Sequence, residues 1–117
     1  PQLDCFVFDM AIPDMRQYFN VGVPVFTRMS EIEMTPSFLD RAAGVWLDAF
    51  ESEWYNNDVI ENLLNQGKRV CIVSAELHGR SNLEQWRNLK VWSTTDQVLL
   101  CTDKPEDARE YFCGVCA

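Results

Sequence analysis

Histidine occurs once in this chain of 117 residues, glycine only five times, and acidic residues outnumber basic ones 18 to 10. Each shortage removes a class of chemistry. With His78 as the sole histidine, neither a two-histidine mechanism nor a multi-histidine metal centre can be built from this chain. The few glycines form no phosphate-cradling loop, no GxSxG elbow and no dinucleotide fingerprint. A net charge of −8 argues against nucleic acid, which needs a basic face for its phosphates. It leaves room for a small anionic ligand, because a few arginines make a local positive pocket. No apolar run is long enough to span a bilayer, and the opening residues, with Asp4 and Asp9 among them, do not read as a signal peptide. Repeats, low-complexity tracts and linkers are missing as well. The chain opens on Pro1 in place of Met, as a processed form or a piece of something longer would.

Cysteine is present in an odd number, five. Cys71 and Cys101 lie inside apolar runs, where a thiol acts as a small hydrophobe, and Cys5 precedes the first run. Cys113 and Cys116 form a CxxC pair with no second pair to complete a zinc site, so it reads as a tail in preference to a redox or metal motif. This usage fits a reducing cytoplasm.

What the sequence does contain is a pattern repeated five times, a short apolar run ending in a charged or hydroxylated residue. The runs are Phe6-Val7-Phe8-Asp9, Val25-Phe26-Thr27-Arg28, Val45-Trp46-Leu47-Asp48, Cys71-Ile72-Val73-Ser74 and Leu99-Leu100-Cys101-Thr102-Asp103. Continuous apolar strands followed by helical segments are expected of a parallel sheet whose strands are buried on both faces. The spacing of roughly 20 to 30 residues suits βαβ units. One domain, residues 1–117, is expected. A first helix opens at Ile12-Pro13-Asp14, packs Met15, Tyr18 and Phe19 on one face, and ends at Gly22, with the second strand from Val23 to Met29. A short helix from Pro36-Ser37 is expected to carry Phe38, Leu39 and Ala42 inward and to close at Gly44. Asn57 or Asp58 caps the next helix, whose stripe is Val59, Ile60, Leu63 and Leu64 and whose stop is Gly67. Ser81 to Leu89 reads as helix with Leu83, Trp86 and Leu89 on one side, and Val91 to Gln97 as loop. The run Thr102 to Asp107, with Pro105 and two acids in a first turn, opens a last helix that packs back through Ala108, Tyr111 and Phe112.

Ligands of parallel α/β folds bind at the carboxyl ends of the strands, and that is where the polar residues gather. Glu76-Leu77-His78-Gly79-Arg80 is the densest cluster. His78 suits acid–base work because an imidazole titrates near neutrality, or it ties the loop backbone. Arg28 and Arg80 suit a phosphate or carboxylate through forked hydrogen bonds, or pair with Glu31, Glu33 or Glu76. Asp9, Asp48 and Asp103 follow three strands and would hold magnesium or calcium if they converged, or cap and order their own loops. Trp46 reads as core; Trp54 and Tyr55 either wall a pocket or cover the sheet edge.

The ending Leu99-Leu100-Cys101-Thr102-Asp103-Lys104-Pro105 resembles the last strand of the glycerophosphodiester phosphodiesterase family, which closes in Thr-Asp-x-Pro before a final helix. Gly67-Lys68-Arg69-Val70-Cys71-Ile72-Val73-Ser74 is similar to the glycine-then-strand segment before it, and Val7-Phe8-Asp9 falls where the family often has Ser-Phe-Asp. The resemblance covers nearly the whole chain in order and implies the C-terminal part of a phospholipase-C-like TIM barrel. It departs from the family at Val73-Ser74-Ala75-Glu76, where many members have Trp-Thr-Val-Asn. The family's His-Arg-Gly opening, acidic metal ligands and second catalytic histidine belong to earlier barrel strands, and 117 residues fall short of the roughly 250 of a whole barrel.

The expected fold is therefore parallel β/α units forming the last five strands of a TIM-like barrel, with an open five-stranded doubly wound sheet as the alternative. The resemblance implies phosphodiester hydrolysis by a complete barrel, with magnesium or calcium as its cofactor. His78 is the expected catalytic proton-transfer group, with Glu76 orienting it. Arg28, Arg80 and Lys104 are expected to contact phosphate, and Trp54 to line the substrate pocket. The alternative function is a non-catalytic ligand-binding or assembly module that retains part of the scaffold. Expected partners are a small phosphodiester or phosphate and either a second copy or a missing N-terminal half.

Overall fold

The computed structural model describes residues 4–114. Pro1 and Cys116, and with Cys116 the CxxC pair, lie outside them. Five strands alternate with helices: β1 (Val7–Phe8), α1 (Ile12–Val21), β2 (Val25–Met29), β3 (Gly44–Leu47), α2 (Asn57–Asn65), β4 (Arg69–Val73), α3 (Leu83–Leu89), β5 (Val98–Cys101) and α4 (Pro105–Cys113). Short 3₁₀ turns occupy Ala75–His78 and Lys90–Trp92. All strands are parallel and pair in sequence order β1-β2-β3-β4-β5, giving a sheet curled as a half-barrel. The order never reverses, so the doubly wound alternative, which needs a switch point, does not describe this sheet. Among the described residues no helix is long and apolar enough to cross a membrane.

Alternation along the strands separates two cores. Val45, Leu47, Val70 and Ile72 face the helices and bury Ile60 and Leu63 of α2 and Leu89 of α3. Phe26, Trp46, Cys71 and Val73 face the other way, into the curl, together with Phe6, Leu99 and Cys101. Aromatic rings fill much of that concave side. Phe6 stacks on Phe26 with centroids 3.9 Å apart, and Phe8 stacks on Trp46 at 4.0 Å. The two ends of the sheet remain open edges, at β1 and at β5.

Local chemistry explains most of the helix boundaries. Pro13 sits in the first turn of α1, where its missing N–H costs nothing, and Gly22 closes the helix in the left-handed conformation. The cap of α2 is Asn56, one residue earlier than the sequence suggests; its side chain accepts from the N–H groups of Asp58 and Val59. At α4, Lys104 holds the capping position without a side-chain bond, while Thr102 Oγ1 accepts from the Lys104 N–H at 3.0 Å and donates to Glu76.

The expected helix at residues 37–43 does not form. Phe38 takes a left-handed φ of 54°, its carbonyl accepts from the N–H groups of Arg41 and Ala42, and Thr27 Oγ1 fixes the segment by donating to the Ser37 carbonyl at 2.7 Å. Gly44 is accordingly no helix stop. It is the first residue of β3, and a Cβ there would stand 2.5 Å from the Phe26 ring and 2.6 Å from the Arg69 carbonyl. Two smaller corrections concern α3 and β2. Leu83 is exposed, not inward-facing, because the helix begins at that residue, and β2 starts at Val25, after Pro24.

Candidate functional site

The strand ends bring one pair of reactive groups together. Asp48 is the residue after β3, and its N–H still donates to the Met29 carbonyl, so the ladder fixes it in place. Its carboxylate is buried, 6% exposed for the residue, and Oδ1 accepts from the Ala49 N–H at 2.9 Å. The same oxygen lies 2.7 Å from His78 Nε2. In neutral His78 the proton therefore sits on Nε2, and Nδ1 keeps a lone pair with no hydrogen-bond partner among the described residues.

His78 is delivered by the 3₁₀ turn after β4, and several side chains brace that turn. Gln85 of α3 accepts from the Ala75 N–H at 2.8 Å and donates to the Val73 carbonyl and to Tyr55 Oη. Burial of Tyr55 pushes its hydroxyl up to about 12, so it serves here as a neutral partner. Trp86 Nε1 donates to Ser74 Oγ at 2.8 Å. Gly79 then ends the turn in the left-handed conformation that a glycine adopts without strain. On the far side, Phe50 stands edge-on to the imidazole with ring centroids 5.4 Å apart.

Glu76 does not orient His78; Asp48 does. The Glu76 carboxylate accepts from Ser74 Oγ, from Thr102 Oγ1, from Asn82 Nδ2 at 3.0 Å and from the Asp103 N–H at 3.0 Å. Burial alone would raise its pKa, but these four donors outweigh burial and hold it down at about 2. Glu76 is thus an anion at neutral pH, stapling the β4 turn to the β5 loop.

Two of the three expected phosphate contacts, Arg28 and Arg80, are occupied by the chain itself. Arg28 donates through Nε to Glu33 at 2.7 Å and through a terminal nitrogen to Asp9 at 2.7 Å. The Glu33 hydrogen bond is the main cause of its raised pKa. Arg80 spends its two terminal nitrogens on the Phe50 carbonyl at 2.8 Å and the Ala49 carbonyl at 2.7 Å. Lys104 stands at the start of α4, in a shallow cavity with Asn82, Leu83, Trp86 and Asp107, and takes no part in the pair. Trp54 packs on the helix-side core and donates to the Asp48 carbonyl at 2.8 Å, so it buttresses the strand end instead of walling a pocket.

The three aspartates do not converge. Asp9 is with Arg28, Asp48 is with His78, and Asp103 contributes its backbone to Glu76. Among the described residues no group of three His, Cys, Asp or Glu side chains is placed to hold a metal ion. Cys71 is buried in the concave face, where burial pushes its thiol up to about 12, which leaves it inert as a nucleophile.

The sequence places Asp48 at this edge, as a cation ligand if three aspartates converge or as a loop-ordering residue, and offers no pointer to Phe50 or Gln85. The one available signal for Asp48 was its position directly after an apolar strand on the edge that also carries His78. No protein-family model matches this chain, and neither a curated protein nor a solved structure matches it.

Proposed function

We propose that this chain is the carboxyl-terminal portion of a TIM-like barrel that hydrolyses phosphodiesters of the glycerophosphodiester type, with His78 as its proton-transfer group and Asp48 as that group's orienter. The observation that carries the reading is the Asp48–His78 pair at the carboxyl edge of two adjacent parallel strands. In this role Nδ1 takes a proton from the attacking water and returns one to the leaving alkoxide, while the buried carboxylate stabilises the imidazolium between the two steps. The resemblance at Leu99 to Pro105 and the half-barrel sheet support a phosphodiester substrate. Among the described residues no three carboxylates stand together to hold magnesium or calcium, and those at this edge are engaged, Asp9 by Arg28, Asp48 by His78 and the Ala49 amide, and Glu76 by four donors. Groups that neutralise the phosphate would then come from strands that complete the sheet, supplied by a missing N-terminal half or by another copy.

A second reading, a non-catalytic ligand-binding or assembly module, has one specific observation in its favour. Both guanidinium groups at this edge are consumed by the chain's own acceptors, which leaves no preformed phosphate fork. One assay separates the two readings. The purified chain and the product of its complete reading frame are given glycerophosphodiesters with magnesium or calcium. Turnover by the complete product alone, lost in His78→Ala, is the expected result. Absence of turnover in both would remove the hydrolase and leave the binding module. Robust turnover by the chain alone, lost in His78→Ala, would contradict the division of labour.

A further inference from the structure

We propose that Phe50 is a positioning residue for His78, and that Glu31 and Arg80 act through it as a two-sided clamp; the inference rests on the reading of His78 as a proton-transfer group. Asp48 fixes only one nitrogen of the imidazole. A ring held by a single hydrogen bond can still swing about it, and Phe50, edge-on at 5.4 Å and 71°, is the wall that prevents this. The phenyl ring needs holding in turn, because it stands on the irregular segment between β3 and α2.

The holding comes from both neighbouring loops at once. Glu31, in the loop after β2, accepts from the Phe50 N–H at 2.8 Å and from the Glu51 N–H at 3.1 Å. Arg80, in the loop after β4, donates to the carbonyls of Ala49 and Phe50. The amides around Phe50 are thus gripped by a carboxylate and its carbonyls by a guanidinium, each through two bonds. Arg80 keeps this grip although its buried Nε has no hydrogen-bond partner among the described residues. Burial alone would raise Glu31's pKa, but hydrogen bonds led by the Phe50 and Glu51 amides outweigh it, so the clamp stays ionised at neutral pH.

Other charges near the pair are Arg28, whose guanidinium carbon lies 5.7 Å from the Phe50 centroid, and Glu53, 3.7 Å from Arg80. Neither bonds to the backbone of Phe50. A segment ordered in advance spares the entropy of arranging it at each turnover, which is how a residue that touches no reacting atom affects a rate.

Because His78 is the only histidine, its ring signals in a histidine-labelled full chain are unambiguous. In the unaltered chain the His78 Cε1–Hε1 order parameter should approach the ~0.85 of rigid backbone, with an Overhauser contact to the Phe50 ring. Arg80→Lys cannot fork, and Glu31→Gln loses one acceptor oxygen. In each, the order parameter should fall below ~0.6 and the Phe50–His78 contact weaken, although neither variant alters a residue touching the imidazole. Phe50→Leu should do the same and Phe50→Tyr should not, so misfolding of a clamp variant still leaves a decision. An imidazole as rigid in Phe50→Leu, or in both clamp variants, as in the unaltered chain overturns the proposal. In the complete protein Phe50→Leu should lower kcat about tenfold and spare KM. Loss of ring order with turnover unchanged would uphold the clamp and remove the proton-transfer reading.

Discussion

Replacing Glu76 with glutamine should abolish an acid-dependent component of stability whose size follows from four hydrogen bonds. The folded carboxyl is held at about 2, against an ordinary 4.5. That displacement corresponds to about 3 kcal/mol between the two protonation states. Glu76 is only partly buried, and screening by water reduces the figure to roughly 1–2 kcal/mol. A depressed carboxyl contributes stability that is fully present above its unfolded pKa and lost as pH falls through the folded one. The unaltered chain should therefore lose this amount between about pH 5 and pH 2. Glutamine offers one acceptor oxygen where glutamate offers two, so its amide nitrogen would face the two donors now bound to whichever oxygen it replaces, Ser74 and Asn82 or Thr102 and the Asp103 N–H. Glu76→Gln should then be destabilised by roughly 1–2 kcal/mol at pH 7 and should approach the unaltered chain at pH 2. Urea unfolding followed by tryptophan fluorescence at pH 7, 5, 3 and 2 is the assay. Parallel pH profiles in the two proteins would refute the account of Glu76 as an anionic staple.

Other outcomes test the packing and the edges. Gly44→Ala should cost about 1–3 kcal/mol, because the new Cβ meets the Phe26 ring and a backbone carbonyl that cannot move aside; an unchanged urea midpoint would contradict the close approach. Asn56→Ala should cost about 1 kcal/mol in the same measurement, with Asn56→Asp close to neutral, since only the alanine loses the oxygen that caps α2. The isolated chain should self-associate at low micromolar concentration in light scattering, since β1 and β5 present open parallel edges; a stable monomer with one cooperative melt would show that the edges are protected.

Strand positions were legible because a strand buried on both faces leaves a continuous apolar run that no neighbouring element has to supply. The same run says nothing about which strand lies beside which, so an open doubly wound sheet stood as the alternative to the expected barrel portion until the uninterrupted strand order separated them. Residues 37–43 carried a plausible helical face in Phe38, Leu39 and Ala42. The failure there lies in a left-handed backbone at Phe38 and a hydrogen bond from Thr27 ten residues away, neither of which leaves a periodic trace. The site divided in the same way. His78 was visible as the only histidine and sits where a strand end should place it. Its partner was not, because Asp48 and His78 are 30 residues apart and meet only through the register of β3 on β4. Glu76, two residues from His78, looked the better partner in sequence, but a two-residue separation within a tight turn points it to Ser74, Asn82 and Thr102 instead.

The central claim is that Asp48 and His78 work as one unit at the carboxyl edge of the sheet. A double-mutant cycle on the product of the complete reading frame tests it, using Asp48→Asn, His78→Gln and the two together against a glycerophosphodiester. Each single change should lower kcat/KM by roughly 10²–10⁴, and the double change should cost little more than the worse single one, because an orienter has no effect once its partner is gone. Losses that multiply, or single variants that keep full activity, would contradict the claim.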